Sequence, residues 1–422
     1  MSAFCFMVLM CSNHYVRAQQ VRSDSLTVQD LRAMGIRFTS DNSVTLLESG
    51  FVKFEDMFEA IRQAKSFVHL EYFNFRNDSI GAELFTLLAQ KAKEGVKVRA
   101  LFDGWGNTSN DQPLKDHHLE KIRESGVEIY EFDPMRFPWL NHAIHRDHRK
   151  IVVVDGLTCY TGGMNVADYY LHGRPEFGSW RDMHIRIEGS AVADYEDIFR
   201  VMWAEVTGEQ LDDAMFYPTP KSISEHFAGL RPDTCVTAGH KMVGVVDRDV
   251  RKNPDTMCDA YISAIDNAQR HIRIINPYPT LVGDVKRALY RALKRGVKLE
   301  FMVSSKSDIP ISPDVTAYRM RKLMKRGADV YFYNPGFHHS KVMMVDSTYC
   351  TVGSTNLNSR SLRFDYEVNA FIMDASTTAA LNQIFEADKD SSSYMTPENW
   401  KQLIPVRQRI RGWFWSIFAP LM

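Results

Sequence analysis

The sequence predicts a duplicated α/β protein, two similar halves in which helices alternate with short apolar strands. A helix carrying Leu84, Leu87, Leu88 and Ala92 stops at Gly95 and a strand follows from Val96 to Phe102. The same succession returns 201 residues later as a helix stopping at Gly296 and a strand from Val297 to Val303. Gly126 and Gly327 repeat this helix–glycine–strand pattern at the same spacing. A third observation is sharper. His148, Lys150, Asp155, Gly162 and Asn165 reappear as His339, Lys341, Asp346, Gly353 and Asn356, each pair 191 residues apart. One H-x-K-x4-D is a weak pattern; two, in register through a further Gly and Asn, mark a repeated half-site.

Taken in order, the chain begins with nine apolar residues, Ala3 to Cys11. That is far short of the ~20 needed to span a bilayer. It suits a signal-peptide core with cleavage after Val16-Arg17-Ala18, although no Lys or Arg precedes it. Residues 19 to about 42 are polar and are expected to be extended or loosely attached. Phe54, Met57, Phe58, Ile61 and Ala64 keep helical spacing before a strand from Phe67 to Phe73; Ala264 to Ala268 and Ile272 to Ile275 are the counterparts. Glu71, near the end of its strand, is placed either in a cleft or at a helix cap. The expected domains are 43–220 and 236–395, after a leader and extended segment over 1–42. A Pro-containing linker over 221–235 joins them, and a basic, aromatic tail over 396–422 follows.

The repeat spacing falls from 201 to 191 just before the motifs. Pro134 lies 14 residues ahead of His148, whereas Pro335 lies 4 ahead of His339. The ten extra residues include Met135, Phe137, Trp139 and Leu140. They either pack on their own domain or form an apolar lip beside the site.

Ile151 to Val154 and Val342 to Val345 read as buried strands ending in turns. Side chains alternate along a strand, so the His and Lys of each H-x-K point to one side. Each half then offers an imidazole able to attack phosphorus or pass a proton. It also offers an ammonium and an amide able to hold phosphoryl oxygens. His142, His145 and His148 recur every third residue, but such a trio does not converge on an extended chain and has no second-half equivalent. No metal site is expected. Cys159 and Cys350 read as buried thiols, and Cys235 and Cys258 give no C-x-x-C spacing, so neither zinc nor a disulfide framework is indicated. A net charge of −1 provides no global basic field, so nucleic acid is not an expected partner.

The doubled motif resembles the phospholipase D superfamily. The flanking residues His145-Arg146-Asp147, Trp180-Arg181-Asp182, Asn276-Pro277-Tyr278 and the ending Phe418 to Met422 are similar to its bacterial cardiolipin synthase branch, over roughly residue 43 onward. The resemblance implies two phospholipase D-like α/β/α domains in one pseudo-twofold unit, with the active site between them. It implies catalytic motif residues His148, Lys150, Asp155, His339, Lys341 and Asp346, with Asn165 and Asn356 on the substrate and no cofactor. Asp155 and Asp346, at strand ends, read more as turn braces than as phosphate contacts. Asp182 and Glu367, 34 and 28 residues beyond the histidines of their own halves, are the implied acceptors that orient the imidazoles. The implied reaction is phosphatidyl transfer through a phosphohistidine, with His148 as nucleophile by analogy and two phosphatidylglycerols giving cardiolipin and glycerol. Phospholipase D hydrolysis or cleavage of a nucleic-acid phosphodiester would use the same residues. Completeness of both motifs argues against a non-enzymatic lipid-binding scaffold.

Members of the branch often carry membrane-spanning helices at the N-terminus, and this sequence departs from that. Its tail interleaves Lys401, Arg407, Arg409 and Arg411 with Trp400, Trp413, Phe414, Trp415 and Phe418. Those aromatics either dock on the core or meet an anionic membrane surface, and a phospholipid substrate favours the membrane. The expected location is peripheral at the cell membrane, with export through the leader as an option.

Overall fold

A computed structural model of the chain describes residues 23–138, 144–211, 214–229, 239–281 and 283–419. Fifteen strands form one sheet whose order is the same outward in both directions from a central antiparallel pair, Phe38–Leu47 and Lys241–Arg248. On one side follow His184–Glu188, Thr158–Gly162, Lys150–Val154, Phe67–Tyr72, Lys97–Asp103 and Glu128–Phe132. On the other follow Glu367–Met373, Tyr349–Gly353, Val342–Val345, His271–Ile275, Lys298–Ser304 and Asp329–Tyr333, with Ser392–Met395 closing that edge. The sequence repeat is thus a spatial pseudo-twofold, and the duplicated α/β reading holds.

Both sheet faces are covered, which is why the strands read as continuous apolar runs. In the first half Val68, Leu70, Val152 and Val154 pack with Phe54 and Met57 of the helix Gly50–Gln63 and with Leu84 and Leu88 of the helix Ser79–Lys93. The alternate residues Phe67, Ile151 and Val153 face Tyr195, Phe199 and Trp203 of the helix Val192–Thr207. That second core does not stop at the midline. It also takes in Val342, Met344, Val352 and Val368 of the second half, under Leu381 and Phe385 of the helix Ala375–Asp390. The halves share one apolar core and hold each other's strands in register.

Two expectations for the connecting segments change. The stretch before residue 43 is not loosely attached: residues 23–33 are helical and dock on the second half. Ser23, Thr27 and Leu31, one turn apart, are fully buried there. Thr27 Oγ1 lies 3.0 Å from the Tyr349 hydroxyl, and Asn267 donates to Asp30 at 2.8 Å. A stripe with one apolar residue in three is invisible to hydrophobic periodicity. The linker likewise contains the helix Pro220–Gly229, whose His226 bonds Glu188 at 2.8 Å; residues 230–238 lie outside the described residues. The tail forms the helices Trp400–Leu403 and Val406–Trp415. Among the described residues no helix is long and apolar enough to cross a membrane. The leader over 1–22 lies outside them.

Candidate active site

Each motif enters its strand from the edge where the halves interlock. Alternation puts His148 and Lys150 on one side of the strand and Arg149 on the other. There Arg149 donates to Glu71 at 3.3 Å and to Asp247 at 2.5 Å. Glu71 is therefore neither a cleft residue nor a helix cap. It belongs to a buried ionic cluster behind the motif, where burial and neighbouring Asp147 push its carboxyl well up.

The run-in to each motif pairs with the other half's carboxylate segment. Ser179–Arg181 lies parallel to Gly336–His338, and the His339 backbone N–H donates to the Arg181 carbonyl at 2.6 Å. Symmetrically, Asp147 bridges to Tyr366, and the His148 N–H donates to the Tyr366 carbonyl at 3.0 Å. This crossing decides which carboxylate meets which imidazole. His148 Nδ1 lies 3.0 Å from Glu367 Oε1, and His339 Nδ1 lies 2.7 Å from Asp182 Oδ2. Counting each carboxylate from the histidine of its own half pairs them wrongly; the structure exchanges them.

Both carboxylates are fully ionised. Burial works to raise Asp182, but Lys341 and His339 outweigh it and hold the carboxyl at about 2. Burial opposes Glu367 in the same way, and His148 and Lys150 keep it below its ordinary value. An ionised acceptor fixes Nδ1–H on each ring and leaves Nε2 for chemistry.

The second residue of each G-G/S pair belongs to this arrangement. Asp182 lies directly over Gly163, where an added Cβ would sit 2.2 Å from Asp182 Oδ1. In the second half the equivalent Ser354 instead donates its hydroxyl to Glu367 Oε2. Replacing Gly163 with alanine should displace Asp182 and free His339, cutting turnover by about 10²-fold, by comparison with the loss of other orienting partners. An alanine variant with unchanged rates in steady-state assay would show that this close approach is dispensable.

Lys150 and Lys341 reach back to the carbonyls of their own histidines, and Lys341 Nζ also lies 2.9 Å from His339 Nε2. Burial lowers both amines, Lys150 to about 7 and Lys341 to about 8, although Glu367 and Asp182 oppose the shift. Burial and Lys150 depress His148 to about 4, and burial and Lys341 lower His339 also. Each lysine is balanced by one buried carboxylate, and a bound anionic phosphodiester would favour the charged form of both amines.

Asn165 and Asn356 follow the motif hairpins, and the Oδ1 of each is buried without a hydrogen-bond partner. Behind Asn165 stands a group that sequence reading missed. Lys53, buried on the helix Gly50–Gln63, donates to the Asn165 carbonyl at 3.3 Å; burial lowers its amine strongly, and Asp182 opposes this. It sits within an apolar stripe beside Phe54 and Met57, so its spacing signals only core. Aromatic rings wall the histidines: Phe73 is 5.1 Å from His148, and Phe337 and Trp180 are 5.2 and 5.5 Å from His339, centroid to centroid.

Asp155 and Asp346 lie elsewhere. Each ends its strand, away from the cleft, in a left-handed backbone conformation. Asp155 accepts three backbone N–H groups, from Lys65, Ser66 and Phe67, at 2.8–2.9 Å. Asp346 accepts the equivalent three, from Gln269, Arg270 and His271. The structure thus removes both aspartates from the set of reacting groups and makes them braces between neighbouring strand ends. His145 Nδ1–H donates to the Phe364 carbonyl, 2.8 Å away, and His142 lies outside the described residues, as do Trp139 and Leu140. Among the described residues no cluster of potential metal ligands occurs. Phe137 is 92% exposed, so this part of the insertion does not pack on its own domain. Cys159 and Cys350 are buried free thiols.

Comparison with known proteins agrees with this geometry. A family described as "Cardiolipin synthase, PLD-like domain" matches residues 57–203 and again 261–389. The major cardiolipin synthase ClsA of Bacillus subtilis is 34% identical over 386 residues, covering 91% of this chain and 76% of that protein. The probable cardiolipin synthase YwiE of the same organism is 32% identical over 371 residues, covering 87% and 70%. In fold, the chain resembles the crystal structure of phosphatidylserine synthase from Haemophilus influenzae, with a TM-score of 0.67 at 15% identity over 96% of this chain and 98% of that one. The family match in both halves, the relatives and the shared fold place the chain in the phospholipase D superfamily and, within it, in the bacterial cardiolipin synthase branch, a family of phosphatidyltransferases.

Proposed function

We propose that this enzyme moves a phosphatidyl group from one phospholipid to the hydroxyl of another, through a phosphohistidine, with two phosphatidylglycerols giving cardiolipin and glycerol. The observation that carries the reading is the crossed pair of histidine–carboxylate dyads, each with Nδ1 against a buried carboxylate and a lysine beside it. His148 is the nucleophile. Its ring is the more exposed of the two, 14% against 7%, and Lys150 bonds its carbonyl rather than its ring. His148 Nε2 attacks phosphorus, the bond from phosphorus to the glycerol oxygen breaks, and His339 gives that oxygen a proton. An incoming hydroxyl then loses its proton to His339 and attacks phosphorus, and the nitrogen–phosphorus bond breaks. Lys150, Lys341, Asn165 and Asn356 stabilise the phosphoryl oxygens as charge builds. The aromatic walls favour a lipid-borne acceptor over water. The protein works peripherally on an anionic membrane.

Phosphatidylglycerol vesicles mixed with the purified protein should yield cardiolipin and free glycerol. Phosphatidic acid as the main product would make the protein a hydrolase instead. The protonation pattern predicts a bell-shaped kcat/KM. Neutral His148 is lost as pH falls through about 4; as pH rises, the protonated His339 that serves as the acid is lost first, below the ordinary imidazole value, and the charged lysines follow through about 7 to 8. Activity that keeps rising beyond pH 9 would show that the lysines need not be charged.

A further inference from the structure

The C-terminal helix Val406–Trp415 is packed inside out. It meets the helix Ser312–Met324 through small residues: an added Cβ at Gly412 would lie 2.3 Å from the Asp314 carbonyl oxygen, and Ser416 and Ala419 are buried beyond it. Its apolar side chains point outward. Val406, Ile410 and Trp413, at i, i+4 and i+7, form one stripe, which Ile417 follows in the turn beyond the helix, and all four are 55–60% exposed. Phe414 widens the stripe, and Arg407 and Arg411 border it on one side, with Arg409 on the other.

Beneath that stripe, between the two helices, runs a groove lined by Tyr318, Arg321, Trp400, Lys401, Arg409 and Trp413, with no carboxylate in its wall. Trp400 is fixed by its Nε1–H bond to the Ala317 carbonyl at 2.9 Å, and both guanidinium groups stack on its indole, Arg321 at 4.6 Å and Arg409 at 5.7 Å. The Nε atoms of both arginines are buried without a hydrogen-bond partner. Two cations held together on one ring, each with an unmatched donor, call for an anion.

We propose that this helix and groove form a second lipid site, outside the catalytic cleft. Arg321, Arg409 and Lys401 hold the phosphate of an anionic phospholipid in a bilayer, and Val406, Ile410 and Trp413 enter the acyl boundary. Charge selects this occupant over a second copy of the chain, because pairing two such faces would oppose their arginines. The orientation suits the chemistry. Gly412 sits on the start of the helix Ser312–Met324, which follows the C-terminal end of the strand Lys298–Ser304. The neighbouring parallel strand His271–Ile275 leads from the same edge to Tyr278, whose ring is 5.7 Å from His339. A bilayer under the stripe therefore lies on the cleft side of the sheet.

The test is binding of the His148→Ala protein, so that turnover plays no part, to vesicles of phosphatidylglycerol in phosphatidylcholine and to vesicles of phosphatidylcholine alone. Binding should need the anionic lipid and weaken with salt. Ile410→Ser with Trp413→Ser should lower affinity at least tenfold, since each exposed side chain contributes about a factor of ten when buried in lipid. Arg321→Gln with Arg409→Gln should lower it about fivefold per arginine. In otherwise wild-type protein the Ile410/Trp413 change should leave melting temperature and activity on a soluble short-chain substrate unchanged, which separates docking from folding and from the reaction in the cleft. Equal binding to both vesicle types, or affinity unaltered by the serine changes, would overturn the proposal. So would a lipid-free dimer that those changes abolish, because the stripe would then belong to a second copy.

Discussion

His148→Ala and His339→Ala should each reduce phosphatidyl transfer by about 10⁴-fold or more, because groups that act as one unit fail together when either is removed. The folded state should survive both changes. In His148→Ala the buried Glu367 keeps the Ser354 hydroxyl and the nearby Lys150 charge, so it is not left as an uncompensated ion. Asp182 likewise keeps the Met183 backbone N–H at 2.8 Å and the charge of Lys341. Circular dichroism and thermal unfolding should therefore stay close to the parent's while turnover disappears. Substantial activity in either variant would mean that one half-site suffices.

Asp182→Asn and Glu367→Gln carry the next largest expected effects, about 10²- to 10⁴-fold in turnover, the range seen when the acceptor behind a catalytic histidine becomes an amide. Their value lies in which histidine responds. Removing a negative partner disfavours the imidazolium, so the pKa of the partnered ring should fall further. Asp182→Asn should move His339, and Glu367→Gln should move His148, each by nuclear magnetic resonance titration of the imidazole. If each change instead moved the histidine of its own half, the crossed pairing would be wrong.

That crossing marks the limit of what the sequence discloses. Duplication, strand placement and the shared side of His and Lys follow from periods of two and from constant spacings, because those are local or repeat along the chain. The strand braces Asp155 and Asp346 are legible for the same reason: an Asp closing an apolar run ends a strand. Which carboxylate meets which histidine depends instead on Ser179–Arg181 lying beside Gly336–His338, a contact across more than a hundred residues that leaves no local trace. Lys53 escapes notice because a lysine in an apolar stripe looks like an accident of the surface. The Ser23, Thr27 and Leu31 stripe escapes because its burial is mostly polar. Gly163 and Ser354 are visible as a motif, yet their purpose appears only once Asp182 and Glu367 stand against them.

The account rests on a covalent intermediate at one histidine of a crossed pair. Rapid quenching of the wild-type enzyme with head-group- and phosphorus-labelled phosphatidylglycerol, followed by peptide mapping under conditions that preserve phosphoramidates, tests it directly. The phosphorus label should appear on His148 during turnover, and the head-group label should be absent from the adduct. The adduct should vanish in His148→Ala. A label on His339 would reverse the assigned roles, and turnover with no labelled histidine would contradict the mechanism.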